Sequence, residues 1–172
     1  MAIQTGLDAL AHALESAVCT RRNPISSLYS EGAFRSLAVA IGRVIDGRTN
    51  AEACGQMQLG AALAGLAIEN SMLGAAHATA NPLTAHHGVI HGHAVALMLP
   101  HVMRFNAANP AVDAIHQRYS IILQELQVTS APLIEWVAQV IARASVRGLN
   151  GTATDLVTLA RDAAKQWTGQ FN

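Results

Sequence analysis

The segment from Asn70 to Met103 contains no Asp, Glu, Lys or Arg, and it constrains the fold of this chain more than any other part of the sequence. A segment without formal charge is expected to be buried, and a buried imidazole must stay neutral and find hydrogen-bond partners. Six of the eight histidines lie within this segment, at His77, His86, His87, His91, His93 and His101. These side chains require either several hydrogen-bond acceptors or a metal ion.

The composition favours helices. Hydrophobic residues make up 51% of the chain but aromatic residues only 4%, so the interior must be built largely from Ala, Leu, Val and Ile. Strands are enriched in aromatic and β-branched residues, whereas Ala and Leu favour helices. The length of 172 residues suits one domain, and no linker, repeat or low-complexity tract divides it. We therefore predict a single all-α domain over residues 1–172, a bundle of about seven to eight helices.

Charge and cysteine usage exclude several classes of protein. The formal net charge is zero, with 11 basic and 11 acidic residues, which argues against a nucleic-acid or membrane-surface partner. The charge-free segment is long enough for a membrane span, but Asn70, Asn81, Pro82 and its histidines are too costly in hydrocarbon. Cys19 and Cys54 are isolated, which predicts reduced core side chains, and no secretory signal is visible. A soluble, cytoplasmic protein is expected.

Helical periodicity and capping residues predict where the helices lie. Thr5 and Asp8 have capping-box spacing at the start of the first helix. Asn23 and Asn50 are expected to cap the second and third helices, and Thr152 or Thr154 the last. Pro100 should end or kink the fifth helix. The predicted helices span residues 6–20, 24–45, 51–70, 71–79, 91–98, 110–126, 132–146 and 154–167.

The charge-free segment should not form one straight helix. Asn81 and Pro82 predict a break after the helix that carries His77. On one straight helix His77 and His91 would lie roughly 21 Å apart, too far for a single metal ion to join them. A break at Pro82, together with Gly88, would allow the chain to fold back and bring both imidazoles to one point.

One carboxylate and three imidazoles are candidate metal ligands. Asp8 and His12 are four residues apart on the first helix and project from one face, although a capping acid beside a core histidine is an alternative interpretation. With His77 and His91 they would form a ligand set that suits Fe(II), Zn(II) or Mn(II) and leaves positions open to a substrate. The sequence lacks the short motifs of zincins, EF-hands, Cys-based zinc sites, hydrolase serines and phosphate-binding loops.

Two longer blocks of sequence resemble the iron-containing (group III) alcohol dehydrogenase family. TGLDALAHALES, which starts at Thr5, resembles the family signature TGxDALxHAxE. GLAIENSMLGAAHATANPL followed by HGHAVALMLPHVMRFN resembles the second signature, GLxxxNxxLGxxHxxxHPL and HGxAxAxLLPHVxxxN. The blocks occur in the family's order, and the spacing of His77 and His91 is the family's. The likeness covers nearly the whole chain.

This resemblance implies a fold, a metal site and a reaction. The fold would be an all-helical, dehydroquinate synthase-like C-terminal domain in which Asp8, His12, His77 and His91 bind Fe(II), or sometimes Zn(II). The bound ion would polarise the oxygen of a small alcohol, aldehyde or ketone and ease hydride transfer between that substrate and NAD(P). Exposed apolar surface where a further domain would pack also predicts a homo-oligomer.

The chain departs from the family pattern at one histidine. Many members have a second histidine four residues after the third ligand, and this position is Asn81 here. In the family that histidine is often assigned to proton relay or substrate contact, and His86, His87 and His93 are the candidates to replace it. For each of them, support of the ligands or a structural role is favoured over catalysis. No residue of this chain is therefore assigned a direct catalytic role.

A second departure concerns the cofactor. The family's nucleotide-binding α/β domain would precede Thr5 and its final helix would follow Asn172, so NAD(P) is expected to bind only with that missing domain. We expect the chain alone not to perform efficient NAD(P)-dependent turnover. A helical scaffold or oligomerisation module with relic ligands is the alternative. A metal-dependent hydrolase is a third hypothesis, but it lacks an obvious general base, because Glu69 is the only nearby acid and no spacing recommends it.

Overall fold

The computed structural model of this chain describes residues 2–148 and 153–172. Within these ranges every regular element is a helix, which confirms the all-α prediction. None of these helices is long and apolar enough to cross a membrane. The elements are α1 (Ala2–Val18), α2 (Pro24–Ile45), α3 (Ala51–Glu69), α4 (Ala75–His87), α5 (His91–Asn106), α6 (Pro110–Glu125), α7 (Leu133–Arg143), α8 (Ala153–Ala164) and a terminal 3₁₀ helix (Trp167–Phe171).

Helix α1 is the central helix of the bundle. It contacts α2, α3 and α5 along its length and is buried on nearly every side from Gly6 to Val18. A glycine of α5 lets the backbones of α5 and α1 approach closely. At Gly92, the second residue of α5, an added Cβ would lie 2.8 Å from the Gln4 carbonyl carbon and 3.4 Å from the Asp8 Cβ. Only glycine therefore allows α5 to begin directly against Asp8.

An aromatic cluster packs α2, α6 and α7 together. The ring centroid of Phe34 lies 4.7 Å from that of Tyr119 and 5.6 Å from that of Trp136, within the range of favourable aromatic pairs. The Tyr119 hydroxyl lies 2.5 Å from the Ser30 hydroxyl, which in turn donates to the Ala13 carbonyl of α1. This cluster contains no metal-ligand set and serves as scaffold.

Side-chain caps fix several helix ends. The Asn23 side chain accepts from the backbone N–H groups at the start of α2, and Asn50 does the same for α3, as their sequences predict. The predicted capping box at Thr5 is wrong, because α1 begins at Ala2 and Thr5 donates to the Ala2 carbonyl within the helix. At the other end of the chain, Thr154 lies inside α8, and Thr152 lies outside the described residues.

Both internal prolines lie within helices, so the predicted break at Pro82 is wrong. Helix α4 continues through Pro82 to His87, and α5 continues through Pro100 to Asn106. Proline removes one helical hydrogen bond, but both rings are buried, and tertiary packing outweighs that loss. The chain reverses at Gly88 instead, which has a left-handed φ of 62°.

The predicted burial of the charge-free segment is only partly correct. His77 is 2% exposed, but residues 85–88 are exposed because the α4–α5 turn lies at the surface, and His101 is exposed on α5. The prediction for the cysteines is also half correct. Cys19 is buried and free, whereas Cys54 is free but exposed, on the outer side of α3.

Candidate metal centre

Four side chains from three helices meet at one point, and we name them the Asp–His cluster: Asp8 and His12 of α1, His77 of α4 and His91 of α5. The Oδ1 atom of Asp8 lies 3.2 Å from Nε2 of His77. It also lies 3.7 Å from Nε2 of His12 and 3.7 Å from Nε2 of His91. Each imidazole therefore turns its Nε2 atom toward the same carboxylate oxygen.

The reversal at Gly88 brings the two distant histidines together. The ring centroid of His77 lies 5.3 Å from that of His91 and 4.9 Å from that of His12. The fold-back that a shared site requires is confirmed, although it occurs after α4 rather than at Pro82.

The spacing of these atoms fits a metal ion. An ion bonded to nitrogen and oxygen at roughly 2.0–2.2 Å holds neighbouring ligand atoms roughly 2.8–3.6 Å apart in tetrahedral or octahedral geometry. One ligand atom from each of Asp8, His12 and His77 lies within 4.8 Å of the others. His91 lies outside this group of three: its Nε2 atom is 3.7 Å from Oδ1 of Asp8, and its side chain is 40% exposed. Three of the four predicted ligands are thus within reach of one ion, and His91 lies at the open edge of the group.

The pKa values of the cluster reflect a carboxylate surrounded by imidazoles. Burial raises the pKa of Asp8, but its hydrogen bond to His77 and the nearby imidazoles outweigh burial and hold the pKa below its ordinary value. Burial lowers the pKa of His12 against the opposing charge of Asp8, which favours a neutral ring. At His77, burial also lowers the pKa, but hydrogen bonds to Asp8 and Glu15 raise it from 6.5 to about 9.

Glu15 lies directly behind His77. Its side chain is 3% exposed, and Oε2 pairs with Nδ1 of His77. Its other oxygen, Oε1, accepts from the backbone N–H of Ala76 at 2.6 Å and, more weakly, from that of His77 at 3.4 Å. Gly74, which precedes α4, provides no side-chain cap, so the Glu15 carboxylate takes that role from α1.

The position of Glu15 carries a signal that sequence reasoning missed. Glu15 follows Asp8 by seven residues and His12 by three, so all three lie on one face of α1. A carboxylate on the buried face of a helix needs a partner, and that requirement points to a nearby donor. The expectation that Glu69 is the only nearby acid is wrong, because Glu15 contacts His77, whereas Glu69 is exposed at the end of α3.

The other histidines of the charge-free segment have different partners. Nε2 of His86 lies 2.9 Å from an oxygen of Asp162, and Nε2 of His93 lies 2.9 Å from the Arg147 carbonyl. His87 is exposed at the end of α4. The structure therefore does not bring these three side chains into the Asp–His cluster.

Asn81, which stands where many relatives have a histidine, contacts the C-terminal part of the chain. Its side-chain amide donates to Oε1 of Gln166 at 3.0 Å, and both residues line a surface cavity with Pro82 and Lys165. The amide thus ties α4 to the segment after α8 rather than to the Asp–His cluster.

Comparison with known proteins identifies the family. Residues 2–167 match the C-terminal domain of the Fe-containing alcohol dehydrogenase family. The chain belongs to the Fe-containing alcohol dehydrogenase family. Its relatives in this family include Alcohol dehydrogenase 4 of Schizosaccharomyces pombe, 30% identical over 143 residues, which are 83% of this chain and 34% of that protein. The 1,3-propanediol dehydrogenase of Klebsiella pneumoniae is 37% identical over 107 residues, 62% of this chain and 28% of that protein. The chain therefore spans about a third of the length of these Fe-containing alcohol dehydrogenases.

Solved structures of the family have the same fold. The alcohol dehydrogenase from Oenococcus oeni superposes with a TM-score of 0.85 at 25% identity, covering 100% of this chain and 47% of that one. A sulfoacetaldehyde reductase from Bifidobacterium kashiwanohense, solved with NAD+, gives a TM-score of 0.85 at 24% identity, covering 100% and 46%. The chain has the fold of the C-terminal helical domain of iron-type alcohol dehydrogenases.

Proposed function

We propose that this chain is the metal-binding part of an iron-type alcohol dehydrogenase and that the Asp–His cluster holds one divalent ion. Fe(II) is the ion expected from the family, and the same ligands suit Zn(II). The observation that carries this proposal is the convergence of three Nε2 atoms on Oδ1 of Asp8. Burial, pairing with acids and ligand spacing all agree with a metal site.

The cluster has a closed side and an open side. His77 is 2% exposed and is held from behind by Glu15, so it forms the floor of the site. His91 is 40% exposed at the start of α5, where a small alcohol or aldehyde would reach the ligands. The bound ion would supply Lewis acidity to the substrate oxygen. The chain's own residues would orient that oxygen and keep the ion in place.

We propose that NAD(P) binds to a nucleotide-binding domain outside this sequence. The sequence contains no glycine-rich phosphate loop, and the chain covers less than half of the solved relatives that share its fold. The single helical domain would then supply the metal ligands and part of the substrate site. Alone, the purified chain should not reduce NAD(P) with an alcohol substrate, and measurable turnover would contradict this division of roles.

The metal content of the purified chain tests the proposal. After loading with Fe(II) without oxygen, or with Zn(II), elemental analysis should find about one ion per chain. That ion should be lost on His12→Ala or His77→Ala. A chain that takes up no metal, and whose stability in the presence of Zn(II) does not change on these substitutions, would instead be a helical scaffold with relic ligands.

A further inference from the structure

Glu15 has contacts that a simple core residue does not need. It is an acid with 3% exposure, and within the described residues the hydrogen-bond partners of its carboxylate all belong to the first turn of α4. Space for it exists because of Gly74, where an added Cβ would lie 3.1 Å from Oε1 of Glu15. A buried carboxylate is costly unless its oxygens are paired, so this arrangement is specific.

We propose that Glu15 is a positioning residue of the metal centre, which holds His77 with its proton on Nδ1 and its Nε2 atom aimed at the ion. This inference rests on the proposed function. An imidazole that donates from Nδ1 to a carboxylate leaves a lone pair on Nε2, the form that binds metal. The Nε2 atom of His77 already lies 3.2 Å from Oδ1 of Asp8.

The same carboxylate also caps α4, and the two roles must be separated. Oε1 accepts from the Ala76 N–H, which is the capping contact, whereas Oε2 pairs with Nδ1 of His77. Removal of the whole side chain would disrupt both contacts. A useful variant keeps the contact with the Ala76 N–H but places a donor, instead of an acceptor, opposite Nδ1 of His77.

Glu15→Gln is such a variant. The backbone N–H of Ala76 is an obligatory donor, so the amide oxygen of glutamine must occupy the position of Oε1. The amide NH₂ group then faces Nδ1 of His77. To accept from it, His77 must move its proton to Nε2, where the proton blocks metal binding. The helix cap is kept, and only the orientation of the imidazole dipole is reversed.

Metal affinity is the first test. We would titrate wild type, Glu15→Gln and Glu69→Gln with Zn(II) against a chromophoric chelator, and compare their metal-free circular dichroism. Glu69 is an exposed glutamate at the end of α3, so Glu69→Gln controls for the lost charge. Glu15→Gln should bind about 10- to 100-fold more weakly than wild type with an unchanged helical spectrum, and Glu69→Gln should bind as wild type does. Equal affinity of wild type and folded Glu15→Gln would overturn the proposal.

The tautomer of His77 is a second test that depends neither on metal nor on the folding of a variant. Long-range ¹H–¹⁵N NMR of the metal-free wild type at about pH 10, where the ring is largely neutral, should show the proton on Nδ1. A proton on Nε2 would overturn the proposal. If wild type bound no Zn(II), the proposed function would fail. The NMR measurement on the metal-free protein would still decide whether Glu15 sets the tautomer of His77.

Discussion

His77 and His116 are both buried histidines, 2% and 6% exposed, but their surroundings have opposite effects. His77 has an acid at each ring nitrogen, Glu15 at Nδ1 and Asp8 at Nε2. His116 on α6 has, within the described residues, no hydrogen-bond partner for Nδ1. Burial lowers the pKa of His116, with only Asp113 opposing it. At His77 burial acts in the same direction, but the two carboxylates raise the pKa to about 9.

The difference shows that burial alone does not make a histidine a ligand. An imidazole with a carboxylate behind it has a fixed orientation and a free nitrogen for an ion. An imidazole with an unpaired nitrogen carries a desolvation cost and contributes mainly by filling space. The region around His77 should therefore govern metal binding and pH dependence, and the region around His116 should govern packing.

The largest expected effect separates the two histidines directly. His77→Gln should weaken Zn(II) binding by more than about 100-fold, because loss of a ligand exceeds the 10- to 100-fold effect of losing its supporting partner. His116→Gln, the matched control on α6, should leave the affinity unchanged. Competition titration measures the Zn(II) affinity of both variants. Equal losses of affinity would show that His77 binds the ion no more directly than His116 does.

The pH dependence of the free energy of unfolding of the metal-free protein should also distinguish the region around His77 from the region around His116. The folded pKa of His77 lies above its ordinary value of 6.5, so its stabilising contribution is complete below about pH 6.5 and is lost as the pH rises through about 9. The loss should amount to up to about 3 kcal/mol. Urea unfolding with a chelator present, from about pH 6 to about pH 10, measures it. His77→Gln should flatten this dependence, and an equally steep curve in the variant would assign it to other groups.

The close contact between α5 and α1 near His91 should make both stability and Zn(II) binding sensitive to an added methyl group. Gly92→Ala would press a methyl group against the Gln4 backbone and should destabilise the protein by about 1–3 kcal/mol while displacing His91 and weakening Zn(II) binding. Gly65→Ala on α3 is the control, because an added Cβ there meets nothing within 4 Å. That variant should gain about 0.5–1 kcal/mol from helix propensity alone. Thermal unfolding and Zn(II) titration of both variants measure this difference. Similar losses of stability and Zn(II) affinity in Gly92→Ala and Gly65→Ala would contradict it.

The smallest effect should come from His116. His116→Leu removes a buried nitrogen that lacks a partner, so the free energy of unfolding at neutral pH should change by less than about 1 kcal/mol. Because the folded pKa of His116 is lowered, wild type should lose stability as the pH falls below 6.5, and the variant should lose less. Urea unfolding at about pH 5 and about pH 7 measures this difference. A large loss at neutral pH would show that His116 has a polar role that its contacts do not reveal.

Much of the fold could be predicted from local chemistry. Asn23 and Asn50 cap helices through contacts with their own near neighbours, so their roles are visible in sequence. The path of α4 through Pro82 could not be predicted in this way, because it depends on packing with helices that lie elsewhere in the chain. Gly88 could be identified from the sequence as a possible turn. The sequence did not show that the chain reverses at Gly88 rather than at Pro82. Homo-oligomer formation and a cytoplasmic location stay predictions.

The candidate site also has residues that the sequence predicts and one residue, Glu15, that it does not. The family motif points to Asp8, His12, His77 and His91, and the structure brings their side chains together. The role of Glu15 could not be predicted, because its partners lie on α4, far away in sequence. Spacing along α1 shows which side Glu15 faces, but only the packing of α4 shows what it contacts.

We propose that one ion binds at the Asp–His cluster through the Nε2 atoms of its histidines. Crystals of the chain grown with Zn(II), measured at the zinc absorption edge, test this most directly. We expect one anomalous peak bounded by Oδ1 of Asp8 and by Nε2 of His12, His77 and His91. A peak at His86 or His93, or none between these four side chains, would contradict it.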